Sequence, residues 1–472
     1  MNLRRHRLLI AILTLAALAA ARPALAATAQ LLRYPYLTDA VGGSATLNWG
    51  TDRSSTVGYA TYGKVGAEGC TAHRVGASRT GVTVGSTGEY QWKARLSGLA
   101  PGSRYCYRTF LGDPGVDLLG ADPAPAFWTQ VPAGSTATYS FAVLGDWGQV
   151  DASGANPDQA NLLHQIAASG ARFAVGTGDT AYPNGSQTNY GDLVQRGQNV
   201  STVFASGFYK DVGKGIPMFN PLGNHGLTAT FPLIWPEAQA AASSGGRYQM
   251  DTYCCTNGTA SRNYPSAWYA FDEGLVRYYV LDAAWPNSNV GTADVYKNDH
   301  DNHWTASSPE YQWLAADLAA HPSGVKFAFL HFPIYSDNST EPSDPWLRGP
   351  GSVAALLSQY GVDLVFNGHA HMYERNLRQP GDSFVAYVTG GGGGKLEPIG
   401  AKGCSAFDAY GIGWSYSKGS GSRCGAAPVP DAITRVFHFL LVTVAGTHVT
   451  VAPTDELGRR FDVRDYDFGA AV

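Results

Sequence analysis

The sequence predicts a layered α/β core preceded by a small all-β sandwich. Three observations predict this. From Tyr139 onward, short apolar runs alternate with helical patterns, which is how layered α/β cores are written. Between Leu31 and Gln130, by contrast, short β-rich runs follow one another across turns. Finally, five apolar runs of the second part end in metal-capable side chains, usually just after a glycine. Side chains at the carboxyl ends of neighbouring strands in such sheets converge on one crevice. With 472 residues the chain can bury a substantial core, and its 57 glycines with 15% charged residues describe a loop-rich globular protein.

Residues 1–26 are set apart. Arg4, Arg5 and Arg7 precede an apolar run from Leu8 to Ala20, and Ala24-Leu25-Ala26 fits a small-x-small cleavage site. This pattern is a secretory signal peptide, so the mature chain is expected to be secreted or periplasmic. Cleavage would remove four arginines and no acids, taking the formal charge from -4 to -8. An acidic surface argues against nucleic-acid binding, which needs basic patches. No later stretch has 18 consecutive apolar residues, so no stable membrane insertion is expected. Six cysteines suit an exported, disulfide-bonded protein. Cys70 is expected to pair with Cys106, and Cys404 with Cys424 across a Gly/Ser-rich loop. Cys254 and Cys255 would pair with each other or cross to that loop.

Residues 31–130 hold the β-rich runs Ala45–Trp49, Thr56–Ala60, Tyr90–Leu96 and Tyr105–Phe110. The segment from Leu96 through Pro101-Gly102 to Tyr107 resembles the strand-turn-strand corner of fibronectin type III sandwiches. Residues 131–138 are a Pro/Gly/Ser linker. Residues 139–395 are the expected catalytic domain. Ser140–Leu144 is a strand ending at Gly145-Asp146-Trp147-Gly148, and a helix capped by Asn156 with Pro157 in its first turn follows. Ala171–Val175 ends at Gly178-Asp179-Thr180-Ala181-Tyr182, and Ile216–Pro221 leads to Gly223-Asn224-His225. Tyr278–Leu281 is a strand, and a helix from Pro309 to Ala320 buries Trp313, Leu314 and Leu318. Val325–Leu330 runs into His331, and a helix over Val353–Tyr360 stops at Gly361. The apolar run Val362–Phe366 then delivers Gly368-His369-Ala370-His371, and Phe384–Thr389 is a further strand. Residues 396–430 are the Gly/Ser-rich loop, and 431–472 return to a β pattern that completes the catalytic domain.

Each of these strand ends is weak alone, because an Asp after a strand is usually a turn former or helix cap. Five in one domain, in this order, form a joint signal for a metal centre. Asp146, Asp179 and Tyr182 supply hard anionic oxygen, whereas Asn224, His331, His369 and His371 supply an amide and imidazoles.

On these motifs, and on the continuation Met372-Tyr373-Glu374-Arg375, the sequence resembles the purple acid phosphatases, a branch of the calcineurin-like metallophosphoesterases. The resemblance implies a metallophosphoesterase core of two mixed β-sheets flanked by helices, and plant-type members likewise place a fibronectin III-like domain first. The resemblance implies a ferric ion held by Asp146, Asp179, Tyr182 and His371. It also implies a divalent ion (Fe, Zn or Mn) held by Asp179, Asn224, His331 and His369, with Asp179 shared. It further implies hydrolysis of phosphate monoesters by in-line attack of a metal-bound hydroxide, with catalytic roles for Asp179 and for His225, the phosphate-contacting histidine. The expected partner is a phosphorylated small molecule or nucleotide.

Two departures stand out. Gly226 replaces the acidic residue that closes the family's Gly-Asn-His motif, and Asp337, Asn338, Thr340 and Glu341 stand where plant members carry further histidines. His300 and His303 could take over that role, or be solvated loop histidines. A phosphodiesterase or nucleotide hydrolase on the same site, or a surface-binding protein with an inactive phosphatase core, are the alternatives.

Overall fold

The computed structural model describes residues 29–191, 203–226, 230–235, 243–244, 249–253, 262–266, 268–283 and 303–469. The predicted signal peptide, Cys254, Cys255 and His300 lie outside them.

Two large mixed sheets face one another. In the first, Tyr139–Leu144, Phe173–Gly176 and Met218–Phe219 run parallel, in that spatial order. The C-terminal strands His438–Ala445 and His448–Asp455 close onto Tyr139–Leu144 in antiparallel register. In the second sheet Val276–Val280, Val325–Leu330, Leu364–Asn367 and Val385–Thr389 are parallel neighbours. These strands are buried on both faces, which is why they are written as unbroken apolar runs rather than as alternations.

The sheets are joined by aromatic rings. Phe141 stacks on Phe173 with centroids 5.1 Å apart and meets Tyr278 edge-on at 5.3 Å. Phe329 stacks on Phe366 at 5.0 Å, and Tyr278 packs on Phe271 at 4.9 Å. Each such side chain is worth about 1.5–3 kcal/mol when buried. Together they fix the spacing of the strands whose ends carry the candidate ligands.

The helices that the sequence predicts are present. Pro157–Ala168 is capped by the Asn156 side chain, which accepts the Gln159 N–H, and it buries Leu162, Leu163 and Ile166. Pro309–Ala320 buries Leu314 and Leu318, but Trp313 is only half-buried because its helix face turns towards solvent. Val353–Gln359 ends with Tyr360 as its cap residue. Val203–Gly213 is a π-helix that the sequence did not announce, and it packs Phe204, Phe208 and Tyr209 around Trp147 and Tyr36.

The N-terminal all-β region is consistent with a fibronectin III-like domain, but its edges merge with the core. Leu31–Val41 pairs in parallel with Met218–Phe219, so one ten-stranded sheet runs from the C-terminal strands into the sandwich. Arg33 reaches across to Gln187 and the Gly191 carbonyl. The stretch expected as a linker is also held: the Val131 N–H donates to Glu273, and Gly134 to the Gly274 carbonyl. Cys70–Cys106 and Cys404–Cys424 are bonded as expected, and two disulfides fit an extracellular protein. Among the described residues, no helix is long and apolar enough to cross a membrane.

The C-terminal strands are clamped at Asp462. Its carboxylate accepts from both Arg375 nitrogens at 2.8 Å and from the Tyr373 hydroxyl at 2.8 Å, all largely buried. Removing one partner of a buried pair strands the other charge, at about 3–5 kcal/mol. Asp462→Asn is therefore expected to lower unfolding stability by about that amount in urea titration, whereas exposed Asp465→Asn should stay within about 0.5 kcal/mol.

Candidate metal centre

The seven residues singled out in the sequence meet where the two sheets present the carboxyl ends of their parallel strands. Asp146, Asp179 and Asn224 follow strands of the first sheet, and His331, His369 and His371 follow strands of the second. Asp146, Asp179 and His331 offer ligand atoms within 4.8 Å of one another, and all three are buried. The Tyr182 hydroxyl lies 2.8 Å from His371 Nε2, 3.0 Å from Asp179 Oδ2 and 3.4 Å from Asp146 Oδ1. His331 Nε2 lies 2.9 Å from Asn224 Oδ1 and 3.4 Å from Asp179 Oδ2. His371 Nε2 is 3.4 Å from Asp146 Oδ1, and the His331 and His369 rings are 5.0 Å apart.

Backbone geometry makes this convergence possible. Asp146, Asp179 and His369 have positive φ, at 57°, 44° and 70°. Left-handed backbone outside glycine costs about 1–3 kcal/mol per residue and is kept only where the surroundings enforce it. Here the motifs enforce one another. Both Asp146 carboxylate oxygens accept the His369 N–H, at 3.0 and 2.8 Å. Asp179 Oδ1 accepts the His225 N–H at 2.8 Å, and its carbonyl accepts the Trp147 N–H at 2.9 Å. Gly178 has φ +91° and a side chain there would strike the His331 ring; one at Gly223 would strike the Asp179 carboxylate. Those two glycines are space reserved for ligands.

The electrostatics call for a cation. A phenol has one proton, yet Tyr182 sits among two carboxylates and an imidazole. Burial, and then the charges of Asp179 and Asp146, push its ionisation well above the ordinary range. Burial alone would lower the pKa of His331 and of His371, but Asp179 raises the first to about 9 and Asp146 the second to about 9. Asp179 is held far below the usual carboxylate range: burial opposes ionisation, but His331 and His225 outweigh it. Without metal, these groups compensate their clustered acceptors by taking up protons. Metal binding replaces such protons, so the donor set fits a metal centre.

The rings are oriented from behind. The Thr177 carbonyl holds His331 Nδ1 at 2.8 Å, and the Lys395 carbonyl holds His371 Nδ1 at 2.9 Å, which turns Nε2 of each ring inward. Glu397 accepts the His371 N–H at 3.4 Å, and burial raises its pKa. Glu397 and Lys395 gave no sequence signal; they arrive through a loop some 25 residues downstream. His225 is half-exposed, its Nδ1 2.6 Å from the Pro183 carbonyl and its ring 4.5 Å from that of Tyr182. His303 is not the solvated loop histidine the sequence suggested, because it is buried with Nδ1 2.6 Å from Glu310. Glu341, one of the residues of the stretch where plant-type members were expected to carry further histidines, has Oε2 2.5 Å from His369 Nε2.

A pair of buried carboxylates, a tyrosine, an asparagine and three histidines thus gather at the ends of facing parallel strands as a candidate metal centre. Residues 139–373 match the family model described as calcineurin-like phosphoesterase, and the chain belongs to those metallophosphoesterases; among the curated relatives it matches are purple acid phosphatases. It is 24% identical to Purple acid phosphatase 23 of Arabidopsis thaliana over 64% of its length, and 24% identical to phosphoenolpyruvate phosphatase of Allium cepa over 59%. The matches span 62% and 54% of those relatives, so between half and two thirds of their length is represented. A similar protein at 22% identity is named probable inactive purple acid phosphatase 1 of Arabidopsis thaliana. A purple acid phosphatase structure from yellow lupin (Lupinus luteus) seeds superposes with TM-score 0.65 at 16% identity, over 92% of this chain and 74% of that one. That likeness shows the fold.

Two glycines of one motif give a sharp contrast. A side chain at Gly223 would displace Asp179, whereas at Gly226 its nearest neighbours stand off at 3.4 and 3.5 Å. Gly223→Ala is expected to weaken metal binding at least about 10-fold by equilibrium dialysis. Gly226→Ala should bind metal like the parent chain.

Proposed function

We propose that this chain is a secreted binuclear-metal phosphatase acting on phosphate monoesters. The observation that carries the reading is the Tyr182 hydroxyl set among Asp146, Asp179 and His371, since an anionic oxygen cluster with a phenol suits a hard trivalent ion. In this reading Asp146, Asp179, Tyr182 and His371 would hold iron(III). Asp179, Asn224, His331 and His369 would hold iron, zinc or manganese as the divalent ion. Bound together, the two ions would supply Lewis-acid charge to the phosphoryl oxygens and lower the pKa of a water at the site.

The protein's own groups do the rest. Asp179, reachable from both halves, is the shared carboxylate. Thr177 and Lys395 fix the two imidazole tautomers through backbone carbonyls, which can only accept, so Nδ1 carries the proton and Nε2 the lone pair. The same logic applies to His225. Its Nδ1–H is spent on the Pro183 carbonyl, which leaves Nε2 to contact a phosphate oxygen and, when protonated, to donate to the departing alkoxide. The signal-peptide pattern of residues 1–26 and the two disulfides support export.

The test is reconstitution with iron and then zinc or manganese. The protein should develop a visible absorption band that Tyr182→Phe abolishes. It should also cleave 4-nitrophenyl phosphate with a higher kcat/KM than bis(4-nitrophenyl) phosphate, and Asp179→Asn should lower that value at least about 100-fold. A higher kcat/KM on the diester would make it a phosphodiesterase. Metal binding without turnover of either ester would leave a binding protein on a phosphatase scaffold.

A further inference from the structure

We infer that the cavity between the strand Asp408–Ser415 and the turn after His448–Asp455 is a second ligand site, which takes a small apolar monocarboxylate. The apolar body of that acid would lie on Tyr410, Ile412, Val429 and Phe461, and its carboxylate on Arg460. None of these residues belongs to the candidate metal centre, and the inference does not rest on the phosphatase reading.

The cavity has a volume of about 320 Å³, at the lower end of the range for small-molecule sites. Its apolar lining is held in place. The Tyr410 and Phe461 rings lie 27° from parallel with centroids 6.3 Å apart, and Phe461 meets Tyr373 edge-on at 5.1 Å. Ile412, two residues along the strand from Tyr410 and so on the same face, is buried. Pro428-Val429-Pro430 supplies a further wall. A side chain at Gly421 would strike Pro430, and Arg423 donates to the Ala427 carbonyl at 3.0 Å, so this segment sits tightly against its neighbours. Val429 is nevertheless 56% exposed, an apolar surface left open beside the cavity.

The charge of the site reduces to one cation. The buried Asp455 carboxylate accepts the Leu457 and Arg459 N–H groups at 3.0 and 2.9 Å. It also accepts from Arg459 Nε at 2.9 Å and stands 3.7 Å from Arg435. Exposed Asp431 stands 3.4 Å from Arg435. Two carboxylates thus answer two guanidinium groups. Arg460 lines the same cavity, its backbone bridged to Thr454, and among the described residues its side chain makes no hydrogen bond or ion pair. One net positive charge is left over, in a chain whose formal charge is negative. A planar guanidinium receives a carboxylate through two parallel N–H···O bonds. A single such fork beside apolar walls selects an acid with one negative charge. A dianion would bring a second charge that only arginines already facing carboxylates could meet.

The test is isothermal titration calorimetry of the whole chain with 3-phenylpropionate and with its neutral amide, with and without excess inorganic phosphate to occupy the metal centre. The acid should bind at one site and at least about 10-fold more tightly than the amide, the factor expected of a charge-assisted pair. Arg460→Gln should lower the affinity for the acid at least about 10-fold and leave that for the amide unchanged. Val429→Asp, which sets a like charge in the apolar wall, should also weaken binding of the acid. Arg460 and Val429 are both exposed, so neither change disturbs the fold. Affinity for the acid that is unaltered in Arg460→Gln, an amide that binds as tightly as the acid, or no binding of either compound would each overturn the assignment. So would an affinity for the acid that excess phosphate abolishes, which would place the acid at the metal centre.

Discussion

Two carboxylates that water cannot reach govern the architecture of this site. Asp146 and Asp179 are 0% and 1% exposed, and burying an ionised carboxylate is tolerable only with compensating charge and hydrogen bonds. The fold supplies the hydrogen bonds from other motifs: His369 offers its backbone N–H to Asp146, and His225 offers its own to Asp179. Those bonds also hold three residues in left-handed backbone. The strain, the convergence and the electrostatics are therefore one arrangement. Positive charge in the middle completes it.

The two sheets make that arrangement rigid. Ligands at strand ends inherit the precision of the strands, and here the strands are packed through stacked aromatic rings. Four candidate ligands hang from the first sheet and three from the second, so the separation of the sheets sets the distance between the donors that face one another. The N-terminal sandwich bears on this too. Its first strand pairs with Met218–Phe219, the strand that leads to Asn224, so this β-region shares hydrogen bonds with a ligand-bearing element. It is part of the support for the site, not a spacer alone.

Around the ligands runs a second layer of groups chosen for what they accept. Backbone carbonyls of Thr177, Lys395 and Pro183 each take one imidazole N–H. A carbonyl cannot change its protonation and cannot donate, so it dictates a tautomer without adding charge. Beside His369 the chain instead departs from the plant pattern, with Thr340 and Glu341 in place of histidines.

The sequence by itself determined the class of fold and the set of candidate metal ligands that the structure brings together. Asp146, Asp179, Tyr182, Asn224, His331, His369 and His371 are legible because each follows a short apolar run and most follow a glycine, which is local information. Local too are the cap at Asn156 and the cysteine pairs 70–106 and 404–424. Tertiary structure alone decided what depends on distant segments meeting. The merging of the sandwich with the core, the burial of His303 on Glu310, the grip of Lys395 and Glu397 on His371, and the contact of Glu341 with His369 leave no periodicity in the chain. A side chain's type records what it can bond. Which partner it finds is fixed only when the sheets and the loops at their ends pack together, and that packing is written in shape and burial rather than in spacing.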